Sequence, residues 1–531
     1  MIYAAADAHP TVPQHRHALS EMTDAASPKG RPLPPLGLLV FVVGAGALGT
    51  EIAAVRLLAP YFGASEIVWA NTIGVVLVAL AVGYWIGGKL GDRYPDMSPL
   101  CSSVLLAATL TALLPFVARP LLNTGVTALD NVSVGAFIGS LLATLVLLAV
   151  PVLVMGTISP WALRIGIEDV DKLQAGALAG RLYAIGTAGS LTGTLVCALL
   201  LVPGIGTRRT FLVFALLMAV VAIPGIATAW RWRAVAVPAV IALLFAVPHG
   251  GIKGKAANGT VIFEDETSQQ YARVIERTDG SRVLELNEGQ SRHSFYRPAS
   301  VLVNDYWDAA VVLPLATTGK PPARLAILGN AAGTVARSYA HYFPDTKVDG
   351  VEIDGELEEV GRRYFGLGSR NFNAHTADAR PFLRATKKRY DSILLDAYRQ
   401  PYIPFYLTTR EFFELAADRV TPEGTVMVNV GHPKGSELLR RVLSATMATA
   451  FEHVYQDHTR STNTILVASQ VPIDPTKIIA GTASIPTLAA TGIREAAQLR
   501  PAPTDGDVYT DDRAPVEWLI DRSIVQYAAG E

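Results

Sequence analysis

Three acidic residues end successive apolar runs in the second half of this 531-residue sequence. Glu352 follows KVDGV, Asp378 follows FNAHTA and Asp396 follows YDSILL. A carboxylate at the end of a parallel strand can accept hydrogen bonds from both hydroxyls of a ribose, and one at the next strand end can bind an adenine amino group. We therefore expect Glu352 and Asp378 to bind an adenosine-containing ligand. Asp396 is expected to point into the cleft where chemistry occurs.

These acids need a sheet that brings them to one edge. Residues 324–334 read RLAILGNAAGT, an aliphatic run that closes on Gly329 and Gly333 in a turn without charge. Strand-like and helical stretches then alternate as far as GTVMVNV. This alternation predicts a parallel α/β sheet of Rossmann type, which binds ligands at the carboxyl ends of its strands. Earlier in the chain, TVIFEDE, YARVIER and RVLELNE predict a small antiparallel sheet.

The first half of the chain is far more apolar than the second. Half of the whole sequence is hydrophobic (50%) and only 17% is charged, which is unusual for a soluble protein. About six or seven stretches approach the roughly 20 residues that a membrane-spanning helix needs. They cover residues 36–59, 67–90, 101–120, 133–155, 181–202, 210–229 and a shorter 234–248. We expect a disordered tail at 1–35, a transmembrane helical domain at 36–250, a small β domain at 258–322 and a Rossmann-like domain at 323–531.

Net charge and cysteine content argue against a nucleic-acid-binding protein, a disulfide framework and a cysteine metal site. The formal net charge of −1 provides no basic excess for a nucleic-acid partner. Cys101 and Cys197 both lie in apolar runs, so neither a disulfide framework nor a cysteine metal site is expected. Asp511 and Asp512 in YTDDRAPVE have no ligand histidines beside them, and a helix cap or a salt bridge is the better interpretation. No metal is expected.

The lysines and arginines between the apolar stretches bear on membrane orientation. One side holds Lys29, Arg31, Lys89, Arg93, Arg164, Lys172, Arg181, Arg231 and Arg233, and the other holds Arg119, Arg208 and Arg209. This bias predicts a cytoplasmic amino terminus. Seven crossings would then place the second half outside, whereas six would keep it in the cytosol. Because an adenosyl ligand is made in the cytosol, we expect a cytosolic catalytic domain.

The first apolar stretch contains two charged residues that a simple membrane anchor would not require. Glu51 and Arg56 would each cost roughly 2.5 to 3.5 kcal/mol at the centre of a membrane helix. Either they form an ion pair that fixes helix packing, or they line a polar site for a cationic or zwitterionic ligand. In GRLYAIGTAGSLTG, Gly189 and Gly193 predict a close helix approach. A transporter or sensor that binds the adenosyl ligand without turnover is thus an alternative.

The order of LAILGNAAGT, VEID, ADARPFL and YDSILLDAY resembles the spermidine synthase family of aminopropyltransferases, a group within the S-adenosylmethionine-dependent Rossmann enzymes. The resemblance runs from about Phe263 to Ser469. The apolar stretches, the GRLYAIGTAGSLTG segment with LVPGIGTRRT, and YTDDRAPVE are similar to membrane-fused spermidine-synthase-like proteins of bacteria. The implied fold is a multi-helix transmembrane domain followed by a small β-sheet and an α/β Rossmann-like domain that binds S-adenosylmethionine. The implied location is the inner membrane of a bacterium.

The resemblance also implies roles for individual residues. Glu352 would bind the ribose, Asp378 the adenine and Asp396 would act as the base on an attacking amine. Further ligand-binding candidates are Gln290 near the substrates, Tyr306 and Asp308 at the position of a Tyr-His-Glu set, Gly329 and Gly333 of the turn, Ala379 beside Asp378, and Tyr398 in a loop over the cleft. The substrate would be S-adenosylmethionine or its decarboxylated form, and the product methylthioadenosine.

Two departures from the family pattern change the expected substrate. The family aspartate that holds the aminopropyl ammonium is matched by Ala332, and an acid that holds the polyamine is matched by Arg399. At an effective dielectric near 20, a cation about 4 Å from Arg399 is repelled by roughly 4 kcal/mol, so putrescine is a doubtful acceptor. Backbone N–H groups near Gly333 and the amino terminus of the following helix are expected to hold the carboxylate of intact S-adenosylmethionine.

These losses permit an intramolecular reaction. Asp396 could deprotonate the ligand's own ammonium, whose nitrogen then attacks within the molecule, because orientation alone suffices for such a step. This lyase or cyclising reaction stands beside true polyamine aminopropyl transfer. The partners implied are the adenosyl molecule, a polyamine in the second case, and the lipid bilayer, and the sequence leaves open whether the chain forms a homo-oligomer.

Overall fold

A computed structural model describes residues 35–63, 65–130, 136–168, 175–248, 252–256, 258–287, 289, 291–399, 402–432, 434 and 436–529. Residues 1–34 of the predicted tail and the candidate Gln290 lie outside the described residues. The described chain forms a helical layer followed by a four-stranded sheet and an eight-stranded sheet. The expected fold class is thereby confirmed.

Ten α-helices form the helical layer among the described residues. They are α1 Leu36–Phe62, α2 Glu66–Arg93, α3 Met97–Asp130, α4 Ala136–Gly156, α5 Ile158–Glu168, α6 Ala175–Val196, α7 Val202–Ile205, α8 Thr207–Ala222, α9 Thr228–Ala234 and α10 Ala236–Leu244. Within the described residues, six helical segments are long and apolar enough to cross a membrane. Their bounds are Leu36–Phe62, Glu66–Arg93, Met97–Leu122, Phe137–Glu168, Ala175–Ile205 and Thr207–Gly225.

The chain passes through this layer a seventh time by way of α9 and α10. Ala227 at the start of this pass donates its N–H to Ser98 at one end of the layer. At its far end, the carbonyls of Leu244 and Val247 accept hydrogen bonds from Arg208 at the opposite end. The predicted short segment at 234–248 is therefore the second part of a crossing made of two short helices. The start of α1 and the second half of the chain consequently lie on opposite faces.

Glycines allow the tightest helix contact, between α1 and α6. A Cβ on Gly189 would lie 2.1 Å from the carbonyl oxygen of Phe41, and one on Gly193 would lie 2.1 Å from that of Ala45. Only a residue without a side chain permits this approach, so the predicted packing role of these glycines is confirmed.

The second half holds two sheets. The first is antiparallel, with β1 Thr260–Glu266, β2 Tyr271–Glu276, β3 Arg282–Leu286 and β4 Arg292–Tyr296 in chain order. The second contains β5 Arg324–Leu328, β6 Lys347–Glu352, β7 Phe372–Thr376, β8 Tyr390–Leu395, β9 Val420–Gly431, β10 His453–Arg460, β11 Asn463–Ser469 and β12 Arg500–Pro501. Its order is β12-β10-β11-β9-β8-β5-β6-β7. Strands β5 to β9 are parallel, as the alternation of strands and helices predicts, and β10 to β12 add antiparallel pairs.

Helices surround the second sheet and join its strands. They are α11 Tyr306–Val312, α12 Leu315–Thr318, α13 Thr334–Tyr342, α14 Glu356–Val360, α15 Ala379–Ala385, α16 Arg410–Arg419, α17 Leu438–Met447, α18 Pro475–Thr482, α19 Pro486–Gln498 and α20 Val516–Ala529. Strand β5 buries four of its five residues because both faces of the sheet are covered. Gly329 follows it with a φ of 89°, and a Cβ there would lie 2.5 Å from the carbonyl oxygen of Asp396. The turn thus brings the end of β5 against the end of β8.

Candidate active site

A first cavity of about 230 Å³ opens at the carboxyl ends of the parallel strands. The three acids predicted from the sequence all line it. They are accompanied by Gly329, Ala379 and Tyr398, also predicted, and by apolar residues that include Val351, Ile353, Ala377 and Leu407. This cavity combines three carboxyl groups with an apolar wall, as a nucleoside with a polar sugar and a flat base requires.

Glu352 is held by the turn that it faces. Its Oε2 accepts the N–H of Ala331 at 2.9 Å, and its Oε1 accepts the N–H of Asp354 at 3.1 Å. Burial raises the pKa of Glu352 to about 7, although these two bonds favour the carboxylate. The side chain is therefore fixed in position at the end of β6, next to the glycine turn.

Asp378 begins α15 and is fixed from two sides. One oxygen, Oδ1, accepts the N–H of Arg380 at 3.2 Å and caps the helix. The other, Oδ2, accepts the hydroxyl of Tyr406 at 2.7 Å. Tyr406 lies in the loop over the cleft and lines the same cavity, so the loop and the strand edge position this carboxylate together.

Asp396 follows β8 and is surrounded by donors. Asn429 of β9 donates to Oδ1 at 2.7 Å, and the Tyr306 hydroxyl lies 3.1 Å from Oδ2. Burial raises the pKa of Asp396 to about 7, against the opposing effect of these donors. A carboxyl group that titrates near neutral pH can take a proton from an amine and release it again, as a general base must.

A second cavity of about 530 Å³ lies beyond Asp396. Four residues line both cavities, and they are His293, Ala331, Asp396 and Tyr398. Tyr398 is fixed in this partition because its hydroxyl donates to the carbonyl of Asn429 and accepts the N–H of Gly431, each at 2.7 Å. Asp396 can therefore reach a ligand on either side.

The glycine turn does not present its N–H groups to a ligand. The N–H of Ala331 bonds to Glu352, that of Ala332 bonds to the Ser294 hydroxyl at 3.0 Å, and that of Gly333 bonds to the carbonyl of Asn330 at 2.8 Å. Ala332 is fully buried against the small sheet. The carboxylate site expected near Gly333 therefore cannot use these three N–H groups, because they are bonded within the protein and β4 covers this side of the turn.

Asp308 and Tyr306, predicted together as ligand-binding residues, lie in different surroundings. Asp308 is buried and accepts the N–H groups of Val303 and Asn304 at 3.0 and 2.7 Å, so it organises a loop and does not line either cavity. Tyr306, in contrast, reaches Asp396 and lines the second cavity. Arg399 lines the first cavity, on the side of Asp378 and Tyr406.

The helical layer closes the first cavity. Val55, Arg56 and Ala59 of α1 and Trp69 of α2 contribute to its wall. Arg56 donates to the carbonyls of Gln269 and Thr267 at 2.6 and 2.7 Å. Arg56 thus fixes the β1–β2 loop against the layer.

The structure places the two polar residues of α1, Glu51 and Arg56, in different surroundings. Glu51 is buried within α1 and forms no ion pair with Arg56 among the described contacts. Only Arg56 reaches the cavity wall.

Several site residues were missed in the sequence. Gln269, Gln270 and Asn287 come from turns of the small sheet, which sequence separation hides from the strand edge. Asn429 carried a signal that could have found it, because it is the one polar residue in the buried run VMVNV. Asp511, interpreted as a cap or a salt bridge, does pair with Arg380 at 2.6 Å.

The fold and the candidate site together define the class of the domain in the second half of the chain. A parallel sheet with acids at the ends of β6, β7 and β8, closing on a glycine turn after β5, is a Rossmann-like domain. Residues 308–466 match the Spermine/spermidine synthase domain family. The second half of the chain thus carries a spermidine synthase-type domain, and the helical layer is consistent with a fused helical domain, as the resemblance implied.

Two curated relatives have names from the same family. The chain is 30% identical over 190 residues to a probable polyamine aminopropyl transferase of Bifidobacterium longum, covering 36% of this chain and 42% of the relative. It is 36% identical over 112 residues to a polyamine aminopropyltransferase of Vibrio vulnificus, covering 20% and 38%. The chain thus spans less than half the length of these relatives. A probable spermidine synthase from Corynebacterium glutamicum aligns with 19% identity and a TM-score of 0.39, covering 49% of this chain and 99% of that one.

Proposed function

We propose that this protein transfers the alkyl chain of S-adenosylmethionine or its decarboxylated form from sulfur to an amine nitrogen and releases methylthioadenosine. The observation that carries this proposal is the position of Asp396, which lines both cavities while Glu352 and Asp378 line only the first. The first cavity would hold the adenosyl group, and the second has room for an amine. The relatives named as polyamine aminopropyltransferases support the same class of reaction.

The residues divide the reaction between them. Glu352 accepts hydrogen bonds from the ribose hydroxyls, and Asp378 accepts one from the adenine amino group. These contacts place the sulfonium near Asp396. Asp396 takes a proton from the ammonium of the acceptor, and the freed nitrogen forms a bond to the chain carbon next to sulfur. The carbon–sulfur bond breaks, and its electron pair neutralises the sulfonium to the thioether of methylthioadenosine. The proton on Asp396 then leaves to solvent.

The intramolecular lyase or cyclising reaction is the second candidate. Ala332 and Arg399 stand where the family has acids for the two ammonium groups, so neither position attracts an external polyamine. The ligand's own nitrogen would then be the nucleophile, and the second cavity would play no part. A sensor that binds the ligand without turnover is the third candidate.

One experiment separates these candidates. The detergent-solubilised protein is incubated with S-adenosylmethionine or its decarboxylated form, with and without putrescine, and products are measured by mass spectrometry. Methylthioadenosine that appears only with an amine supports transfer, and methylthioadenosine without any amine supports the intramolecular reaction. Bound ligand without product under every condition supports the sensor and contradicts the proposed enzyme.

We also propose that the catalytic domain faces the cytosol, where its adenosyl ligand is made. Seven passes then put the start of α1 on the other side, contrary to the cytoplasmic amino terminus expected from charge. The charge bias is smaller than the sequence indicated, because Arg56, Lys253 and Lys255 join Arg119, Arg208 and Arg209 on the catalytic face. Phosphatase and fluorescent-protein fusions at each end test this placement. Phosphatase activity at the carboxyl terminus would overturn it.

A further inference from the structure

The second cavity has an unusual charge for a site that takes a polyamine. Besides Asp396, its charged lining consists of Arg292, Arg460 and Asp305 among the described residues. Two guanidinium groups therefore face one further carboxylate. This balance opposes the binding of a molecule that carries two or more ammonium groups.

Asp305 is already occupied by its neighbours. Its Oδ1 accepts the N–H of Tyr306 at 2.9 Å, its Oδ2 lies 2.6 Å from Arg292, and Oδ1 lies 3.3 Å from Arg460. Only 8% of the Asp305 side chain is exposed, against 43% and 44% for the two arginines. One carboxylate cannot satisfy the ten N–H donors of two guanidinium groups. Donors and one positive charge therefore remain for a ligand.

The rest of the lining adds neutral polar groups. Asn463 donates to the Oδ1 of Asn429 at 3.0 Å, which links the arginine side of the cavity to the residue that holds Asp396. The Nε2 of His293 is buried and has no hydrogen-bond partner among the described residues. Burial lowers the pKa of His293 to about 4, so this ring is uncharged near neutral pH. The lining of one cavity thus combines the guanidinium groups of Arg292 and Arg460 with the carboxyl group of Asp396.

We propose that the second cavity binds an acceptor with a carboxylate and a primary amine, such as an ω-amino acid. The carboxylate would lie at Arg292 and Arg460, and the amine would lie at Asp396. This inference rests on the proposed function and names its acceptor class. The amine forms the new carbon–nitrogen bond and gives its proton to Asp396, and the sulfur keeps the electron pair of the broken bond. The carboxylate takes no part in the chemistry.

Matched acceptors test the inference directly. Methylthioadenosine formation is measured with both forms of the adenosyl ligand and with two series of acceptors, α,ω-diamines and ω-amino acids of three to six carbons. At equal chain length, one ammonium is replaced by one carboxylate, as in putrescine and 4-aminobutanoate. We expect kcat/KM to be at least about tenfold higher for the amino acid, which corresponds to one charge-assisted hydrogen-bonded contact.

Variants locate the carboxylate contact. Arg460→Gln should raise the KM for the amino acid roughly tenfold with little change in kcat, and Arg460→Lys should restore part of the loss because it restores the charge. Arg441→Gln is the matched control, since Arg441 has the same 44% exposure and pairs with Asp505. It should behave as the unmodified protein.

The outcomes separate this inference from the proposed function. Faster turnover of diamines than of amino acids would overturn the acceptor class and leave aminopropyl transfer in place. Methylthioadenosine formed at the same rate without any amine would also overturn it, in favour of the intramolecular reaction. Ligand binding without methylthioadenosine under all conditions would remove the proposed function and this inference with it. An unchanged KM in Arg460→Gln and in Arg292→Gln would contradict the assigned contact.

Discussion

Asn429 donates a 2.7 Å hydrogen bond to Oδ1 of Asp396 across two neighbouring parallel strands. The bond favours the carboxylate form of Asp396, whereas burial raises its pKa to about 7. The balance leaves a carboxyl group that gains and loses a proton near neutral pH. General bases work best when their pKa lies near the working pH.

Asp396→Asn should abolish methylthioadenosine formation and preserve ligand binding. The amide keeps the shape of the side chain but cannot accept a proton, while Glu352 and Asp378 still hold the nucleoside. General-base removal typically costs about 10²- to 10⁴-fold in rate. Single-turnover kinetics and titration with methylthioadenosine measure the two effects. Asp418→Asn, at an exposed position on α16, is the control, and full activity in Asp396→Asn would show that another group is the base.

The activity should rise with pH through about 7. Two groups must lose their protons, namely Asp396 to act as base and Glu352 to accept from the ribose, and burial raises the pKa of both to about 7. We expect the pH dependence of kcat to follow the ionisation of Asp396 and the pH dependence of ligand affinity to follow the ionisation of Glu352. Asn429→Ala should move the kcat limb to higher pH, because it removes a bond to the carboxylate. A kcat that is flat from pH 5 to 9 would contradict the base assignment.

Glu352 should make the ligand-free protein less stable as the pH rises. Its ordinary pKa of 4.5 is raised to about 7 in the folded protein, so between these values the folded state holds a proton that the unfolded state has lost. Its contribution is complete below 4.5 and is lost as the pH rises through about 7. Glu352→Gln should therefore flatten the pH dependence of the Tm in this window. Glu359→Gln, at an exposed position on α14, should leave that dependence unchanged.

Trp69→Ala should weaken binding of the adenosyl ligand although Trp69 belongs to the helical layer. Its indole lines the first cavity together with Arg56, so its removal opens the wall opposite the acids. We expect methylthioadenosine to bind roughly tenfold more weakly, since truncating a buried aromatic contact costs about 1 to 3 kcal/mol. Trp85→Ala is the matched control because Trp85 lies on the same helix and is 66% exposed. Equal affinities in both variants would exclude a role of the layer in binding.

Tyr406→Phe should reduce ligand affinity with little effect on the chemical step. The Tyr406 hydroxyl donates to Oδ2 of Asp378 at 2.7 Å and thereby positions the carboxylate that meets the adenine. Loss of this bond should raise the Kd for methylthioadenosine by about three- to tenfold. Single-turnover rates at saturating ligand should stay within about twofold. A rate loss without an affinity loss would place Tyr406 in the chemistry instead.

The sequence by itself determined the elements and the acids. Apolar stretches of spanning length, the alternation of strands and helices, and acids directly after apolar strands are local patterns, and local patterns follow from side-chain periodicity and burial. Glu352, Asp378 and Asp396 were found because parallel strands end at one edge of a sheet. A close helix approach at Gly189 and Gly193 was found because small residues at a spacing of four occupy one helix face, whereas the structure identified α1 as the partner.

Only the tertiary structure decided what surrounds those acids. Ser294 of β4, far from the glycine turn in sequence, accepts the N–H of Ala332, and Asp308 accepts N–H groups of the loop before it and does not reach a cavity. Trp69 enters the cavity wall although more than 280 residues separate it from Glu352. The seventh pass through the helical layer joins two helices that are each too short to be recognised as a span. Contacts of this kind depend on how whole elements pack, which no local pattern of residues encodes.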